Sequence, residues 1–431
     1  MRRRLAKEGV SMGKVITAPN ETVPAQIHRE LGPFEHLLWL VDQWTPRHFL
    51  LVSRIEGSSI SAENLSAALL HSQRRHPLLR TAIHVNRDGT PEFIPSSAPV
   101  PLRVIPRTND TQWLHEVETE LVLPFAPDDR SLVRAVLVQG EAVSELILAV
   151  HHSIGDGVSA MYLTRDLLQS MEGHDLEPLP PKPALEDLLR SGPTATAHQT
   201  HSPTTQPQPP NSNRIARLDR PKKASLKILQ IDPAELDRIL SRCRQEGTTL
   251  QGALMSALLL SLPPQQTLQC LAPINLRKLL PNITDDFGLY ISSGTATLSR
   301  MDARNATPDL WSLARSARQQ VKQAFDPQVL HAKAAAMASV VATRPNPQTT
   351  YEQVWRSFGY NAVLTNLGKF PDTPELKRFR VTATYPILSP ELEPVVAVAT
   401  ANQHTYITIS SPPELASLSS RFLDRLRQHM N

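Results

Sequence analysis

His151, His152 and Asp156 fall within one short run, His151-His152-Ser153-Ile154-Gly155-Asp156-Gly157. A neutral imidazole can take a proton from an attacking alcohol at cellular pH, because its reference pKa lies near 6.5. Two imidazoles and a carboxylate are also zinc ligands, and a carboxylate near a histidine admits a triad in which Asp156 orients the base. Which chemistry is available depends on the elements that carry the run. Ahead of it, Ser144 to Val150 is small or apolar except at Glu145, with Leu146, Leu148 and Val150 on one face, the pattern of a buried strand. Behind it, Val158, Met161, Leu163, Leu167, Leu168 and Met171 recur at helical spacing. The run is therefore a strand-to-helix joint at the end of a sheet, where open α/β architectures place their ligands.

A His-His-x-x-x-Asp-Gly pattern would arise by chance in a chain of this composition roughly once in a thousand. It resembles the signature of the acyltransferase superfamily that includes nonribosomal-peptide condensation domains, chloramphenicol acetyltransferase and plant alcohol acyltransferases. Arg75-His76-Pro77-Leu78-Leu79-Arg80 is similar to that family's Arg-His-Pro-x-Leu-Arg element, and the stretch from Gly247 to Leu258 is similar too. The spacing best suits the free-standing polyketide-associated acyltransferases of mycobacteria, of the phthiocerol dimycocerosyl transferase kind. The resemblance covers the chain from about Leu31 onward.

The fold it implies is α/β, layered: two chloramphenicol-acetyltransferase-like domains with mixed sheets flanked by helices, and an active-site channel between them. The activity it implies is direct acyl transfer from a coenzyme A or acyl-carrier-protein thioester, with no resident cofactor, to a small hydrophobic alcohol of lipid or polyketide type. His152 would be the general base and later protonate the departing thiol, leaving His151 to orient or pack. Asp156 would be structural, paired with Arg277 of Ala272-Pro-Ile-Asn-Leu-Arg, and could also cap the helix at Val158. Gly157 would admit a positive φ or a close approach by ligand. Asp286-Phe287-Gly288 resembles the superfamily's Asp-Phe-Gly-Trp, with Leu289 in place of the tryptophan. Asp286 and Gly288, with Thr365 and Asn366 of Leu364-Thr-Asn-Leu-Gly, are candidates for the channel, the latter two on its acceptor side.

At 431 residues the chain is long enough for two domains. The expected boundaries are a disordered tail over 1–27, an N-terminal domain over 28–172, a flexible linker over 173–222 and a C-terminal domain over 223–431. The linker reading rests on ten of the 38 prolines falling between Pro178 and Pro221, and on Thr194 to Ser212 being almost wholly small or polar. A net charge of +4, with basic runs that lack interleaved aromatics, argues against nucleic-acid binding. Cys243 and Cys270, the two cysteines, fit a reducing cytosol. No apolar run is long enough to span a bilayer, so a cytoplasmic monomer is expected, with peripheral membrane association compatible. No metal is expected, since no further ligand cluster accompanies the histidines. Met1 or Met12 could be the initiator.

Three functions compete on this evidence. Ester formation is the first. Amide formation of the nonribosomal-peptide type is the second, separable by testing amines against alcohols. The third is a non-catalytic carrier-binding module, against which the intact histidine motif argues.

Overall fold

Local capping fixes where several helices start. Ser61 Oγ accepts the Asn64 N–H at 3.1 Å, Thr249 Oγ1 that of Gly252 at 3.1 Å, and Asp156 Oδ1 that of Ser159 at 2.9 Å. In the computed structural model, which describes residues 26–191, 225–299, 309–390 and 393–429, the first half runs β1 (Arg29–Glu30), α1 (Pro33–Asp42), β2 (Phe49–Gly57), α2 (Ala62–Arg75), β3 (Thr81–Val85), β4 (Pro91–Pro95), β5 (Leu102–Pro106), α3 (Gln112–Val122), β6 (Val133–Gln139), β7 (Val143–Val150), α4 (Gly157–Met171) and α5 (Leu185–Ser191). The second half runs β8 (Ser225–Ile231), α6 (Pro233–Gln245), α7 (Leu250–Ser261), β9 (Thr267–Asn275), β10 (Ile291–Ser299), α8 (Leu310–Gln323), α9 (Pro327–Ala342) and α10 (Pro347–Phe358). It ends with β11 (Ala362–Lys369), β12 (Phe379–Leu388), β13 (Val395–Ala401), β14 (His404–Ser411) and α11 (Leu418–Gln428).

The five-stranded sheet has the order β12-β2-β7-β6-β5 and the six-stranded sheet β10-β9-β11-β13-β14-β8, with a small β1-β4-β3 sheet beside the first. The first is mixed, because β5 and β6 pair in parallel while its other pairs are antiparallel. On one face, Leu146, Leu148 and Val150 of β7 join Leu163, Leu167 and Leu168 of α4 in a buried core; on the other, Ile147 and Ala149 meet Trp113 and Val117 of α3. Leu254, Leu258 and Leu259 of α7 fill a separate core against the second sheet. This is the mixed, two-lobed α/β architecture expected.

One strand does not respect the expected division. β12 follows β11 and precedes β13, both in the second sheet, yet it pairs antiparallel with β2 in the first, from Phe379↔Gly57 to Leu388↔Phe49. Its entry is pinned by Glu172, just past α4, whose carboxylate accepts the N–H groups of Lys377, Arg378 and Phe379 at 2.7–3.1 Å. Alternation marks β12 as a strand, but nothing local says which sheet it joins.

The stretch read as linker also holds structure. Leu185–Ser191 is helical, with Leu185, Leu188 and Leu189 buried against Ile274, Leu276 and Leu280, and Leu179 N–H donates to Arg75 C=O at 2.8 Å. Proline content masked a seven-residue amphipathic helix. Ile27, placed in the tail, is buried in the first core. The expected tail up to residue 25, the Thr194–Ser212 tract and the end at Met430 lie outside the described residues. α10 was not foreseen, and the last helix begins at Leu418, after a short 3-10 turn over Pro413–Leu415. Among the described residues no helix is long and apolar enough to cross a membrane.

Candidate active site

β7 ends at Val150, flanked by Phe49 of β2 and Val133 of β6. The chain then turns tightly, with His151 N–H donating to Leu132 C=O at 2.9 Å and Ile154 N–H to His151 C=O at 3.1 Å. The two histidines leave this turn in different directions. His151 is buried; its Nδ1 accepts the Ser153 N–H at 3.2 Å, and its Nε2 lies 3.4 Å from Asp42 Oδ2. Burial alone would raise the Asp42 carboxyl, but the bonds from His151 and the Arg47 N–H outweigh it and hold it below the usual range. With its ring edge-on to Phe125 at 5.6 Å, His151 is a fixed part of the loop's support.

His152 turns the other way, into a cavity. Its Nδ1 lies 2.9 Å from Gly155 C=O, and a carbonyl can only accept, so this nitrogen carries the proton. Nε2 is left with its lone pair. Burial lowers the pKa of the ring from its ordinary value by penalising the imidazolium, so the neutral form persists at cellular pH. Phe49 packs against the ring at 5.0 Å.

Two arms of one channel meet at this ring, sharing His152, Pro273, Ile291, Val363 and Leu388. The narrower, about 610 Å³, is walled by Gly157, Asn275, Thr365, Asn366 and Leu367. The wider, about 1180 Å³, is walled by Phe34, Leu37 and Val41 of α1, Leu271 of β9 and Met337 of α9, with Arg47, Tyr360 and Glu393 among its polar residues. The narrow arm opens where β9 and β11 part: their parallel ladder holds at Ala362↔Cys270 and Val363↔Leu271, and both strands run on beyond it.

Asp156 is not hydrogen-bonded to His152. Its Oδ1 and Oδ2 each lie 3.0 Å from a different terminal nitrogen of Arg277, and Oδ2 also accepts the Tyr290 N–H at 3.0 Å. Burial would raise this carboxyl, but Arg277 outweighs it and keeps it well below the carboxylate range. The Arg277 guanidinium lies over the Tyr290 ring at 4.9 Å and donates to Ser159 Oγ at 2.7 Å. The aspartate is thus both ion-pair partner and helix cap, and the triad geometry is not formed.

Three expectations are corrected by this arrangement. Gly157 has no positive φ, though it does line the channel; an added Cβ there would lie 2.6 Å from Leu367 Cδ2, so the leucine side chain would have to shift. Asp286 lies away from the channel, accepting the Thr284 N–H at 2.9 Å, with Lys182 Nζ 3.4 Å away. Gly288 is tied to Ser159, its N–H donating to Oγ at 3.0 Å. The Asp-Phe-Gly segment instead supports the loop, since Phe287 packs where a Cβ on Gly155 would sit. Thr365 and Asn366 do line the channel. Phe49, Pro273 and Asn275 were missed; only Asn275, two residues before Arg277, had a sequence signal near it. Among the described residues no group of three or more His, Cys, Asp or Glu is placed to hold a metal ion.

The structure joins a mixed two-lobed α/β fold to a histidine at the meeting of two channel arms, and similarity gives the chain a family. The condensation-domain profile matches residues 48–332. The chain belongs to the condensation-domain family.

Tyrocidine synthase 3 of Brevibacillus parabrevis is 29% identical over 149 residues, 31% of this chain and 2% of that protein. The chain thus spans only a few per cent of the length of the curated relatives it matches, 2% and 4% for the first two. The condensation domain of the monacolin K polyketide synthase MokA superposes with a TM-score of 0.66 at 16% identity, covering 94% of this chain and 97% of that one. Polyketide synthase associated protein 5 of Mycobacterium tuberculosis gives 0.59 at 15%, covering 93% and 97%. The trichothecene 15-O-acetyltransferase of Fusarium sporotrichioides gives 0.66 at 12%, covering 93% and 95%. At these identities the likeness establishes the fold.

Proposed function

We propose that the protein moves an acyl group from a coenzyme A or carrier-protein thioester to the hydroxyl of a lipid- or polyketide-like alcohol, with His152 as general base. The observation that carries this reading is the His152 ring: Nδ1–H is spent on Gly155 C=O, and the ring borders both channel arms. One arm can bring the thioester and the other the alcohol, so that the reactants meet in line at one nitrogen. As the alcohol oxygen attacks the thioester carbon, Nε2 takes its proton. The tetrahedral oxyanion then collapses, the C–S bond breaks, and the imidazolium returns the proton to the thiolate. No acyl-enzyme is needed, and the one Gly-x-Ser-x-Gly match in the sequence, Gly9-Val10-Ser11-Met12-Gly13, lies outside the described residues.

Amide formation is a second reading, favoured by the match to tyrocidine synthase 3 and other peptide synthetases. The chemistry at His152 would be the same with an amine nucleophile. The test is mass spectrometry of products from a panel of acyl-coenzyme A and acyl-carrier thioesters offered alcohols and amines together. Ester products are expected, and their loss in His152→Ala; amide products alone would select the second reading. Retained carrier binding without turnover over the whole panel would leave only a non-catalytic module.

A further inference from the structure

A base that works from Nε2 needs its proton kept on Nδ1, and in a neutral imidazole the tautomer is set by the hydrogen bond that the other nitrogen makes. In a Ser-His-Asp triad a buried carboxylate makes that bond. Here Asp156 is taken up by Arg277, and the Gly155 carbonyl does it instead, 2.9 Å from His152 Nδ1. Glycine is the residue whose backbone turns most freely, so this carbonyl is only as steady as whatever lies against Gly155. The Phe287 ring lies there: a Cβ on Gly155 would stand 2.8 and 2.9 Å from its Cε1 and Cζ. The φ of Gly155 is not positive, so the ring, and not the backbone, stands in the way of a side chain at this position.

Phe287 belongs to the second half of the chain but is buried in the first core. It also borders a cavity of about 230 Å³ shared with His76, Lys182 and Tyr290, so the ring has room to withdraw unless its segment is anchored. Two residues before it, Asp285 Oδ2 lies 2.8 Å from Arg165 Nη1 of α4. Arg165 in turn donates through Nε and Nη2 to Asp166 Oδ1, at 2.9 and 2.7 Å. Asp166 Oδ2 accepts from Arg75 Nε at 2.8 Å and from His76 Nε2 at 2.9 Å. Burial would raise the Asp166 carboxyl, but His76 and the arginines outweigh it and hold it below the usual range. His76, itself buried, thereby presents a fixed ring to Phe287, with centroids 6.1 Å apart. Its Nδ1 has no partner among the described residues, so it serves as a surface rather than as a proton relay. Resting on the proposed general-base reading of His152, we propose that Phe287 is a positioning residue: through it the second half of the chain holds the Gly155 carbonyl and so keeps His152 in the Nδ1–H tautomer. When the Phe287 ring is lost or withdrawn the carbonyl is free to turn, and the imidazole divides between two tautomers, of which the Nε2–H form has no lone pair to offer an alcohol.

The test reads the tautomer directly, from the ring ¹⁵N shifts of histidine-labelled full-length protein at neutral pH, the His152 signals being those absent from His152→Ala. The parent should show Nδ1–H alone. Phe287→Leu should show both tautomers and lower kcat by up to about a hundredfold, the cost of a misplaced group, with KM little changed. Asp285→Ala keeps the ring and removes only its partly exposed anchor; it should shift the tautomer the same way, less far. Adding Gly155→Ala to Phe287→Leu puts a methyl group where the ring pressed and should restore Nδ1–H and most of kcat, which a role in stability alone would not do. A parent already divided between tautomers, or a His152 kept wholly in Nδ1–H in both Phe287→Leu and Asp285→Ala, overturns the proposal. If Phe287→Leu does not fold, Asp285→Ala decides alone. A tautomer that follows Phe287 in a protein that transfers acyl groups to no alcohol or amine would overturn the reading of His152 as a base and leave the positioning role standing.

Discussion

Asp156 and Arg277 lie 121 positions apart in sequence and meet in a two-point ion pair, both oxygens at 3.0 Å from guanidinium nitrogens. Asp156 sits four residues past His152 and Arg277 two residues past the end of β9, so the pair fastens the histidine loop to the strand that walls the channel. It leaves His152 Nδ1 to the backbone of Gly155. The carboxylate holds the loop; the loop holds the His152 ring.

Breaking that pair from one side strands a buried charge. Asp156→Ala should cost about 3 to 5 kcal/mol of stability, because the Arg277 guanidinium loses its counter-charge where little water reaches it. Denaturant unfolding of the variant beside the parent measures this. A midpoint unchanged within error would contradict the structural role.

The same pair sets an acid limit. The folded pKa of Asp156 is depressed, so its contribution is complete above the unfolded value, about 3.9, and is lost as pH falls through the folded value. Asp42 and Asp166 are depressed as well and add in the same direction. The difference in stability between parent and Asp156→Asn should therefore be steady near neutrality and shrink below about pH 4. A gap that widened on acidification would reverse the sign.

Much of this site was legible because its signals are local. The apolar run ending at Val150, the helical spacing from Val158 and the residues of the joint are contiguous, and so are the caps at Ser61 and Thr249. The pairing of Asp156 with Arg277 was reached through resemblance and is formed in the structure. What could not be read depends on distant strands. That β12 leaves its neighbours to pair with β2, that Phe287 supports Gly155, and that Leu367 crowds Gly157 are facts about which surfaces meet. Asp286 and Gly288 show the converse: a motif can lie next to the site in space and still be scaffolding.

Activity should follow the protonation of one ring. Burial lowers the His152 pKa, so the neutral base survives to more acid pH than a free imidazole. The acid limb of kcat/KM, measured with an uncharged acceptor, should lie below about 6.5. His152→Ala should lower kcat by roughly a hundred- to ten-thousand-fold and abolish that limb. An acid limb at or above the free-histidine value would show that burial does not govern the working base.

Gly157 and Leu367 stand together in the lining of the channel's narrow arm. A Cβ added at Gly157 would stand 2.6 and 2.8 Å from the two methyl carbons of Leu367, closer than contact allows. The backbone at Gly157 is compatible with alanine, since its φ is not positive, and the position opens α4, so the variant should fold. Leu367 lines the arm, so methyls that swing aside change the arm's shape. Gly157→Ala should thus raise KM for whichever substrate enters this arm several-fold with a smaller change in kcat, while Leu367→Ala alone should be mild. In the double variant the alanine methyl meets no leucine side chain, so KM should return toward the parent value. A double-mutant cycle on kcat/KM should give a coupling between about 0.5 and 3 kcal/mol, the range for residues in contact; strictly additive effects would mean that Leu367 does not narrow the arm through Gly157.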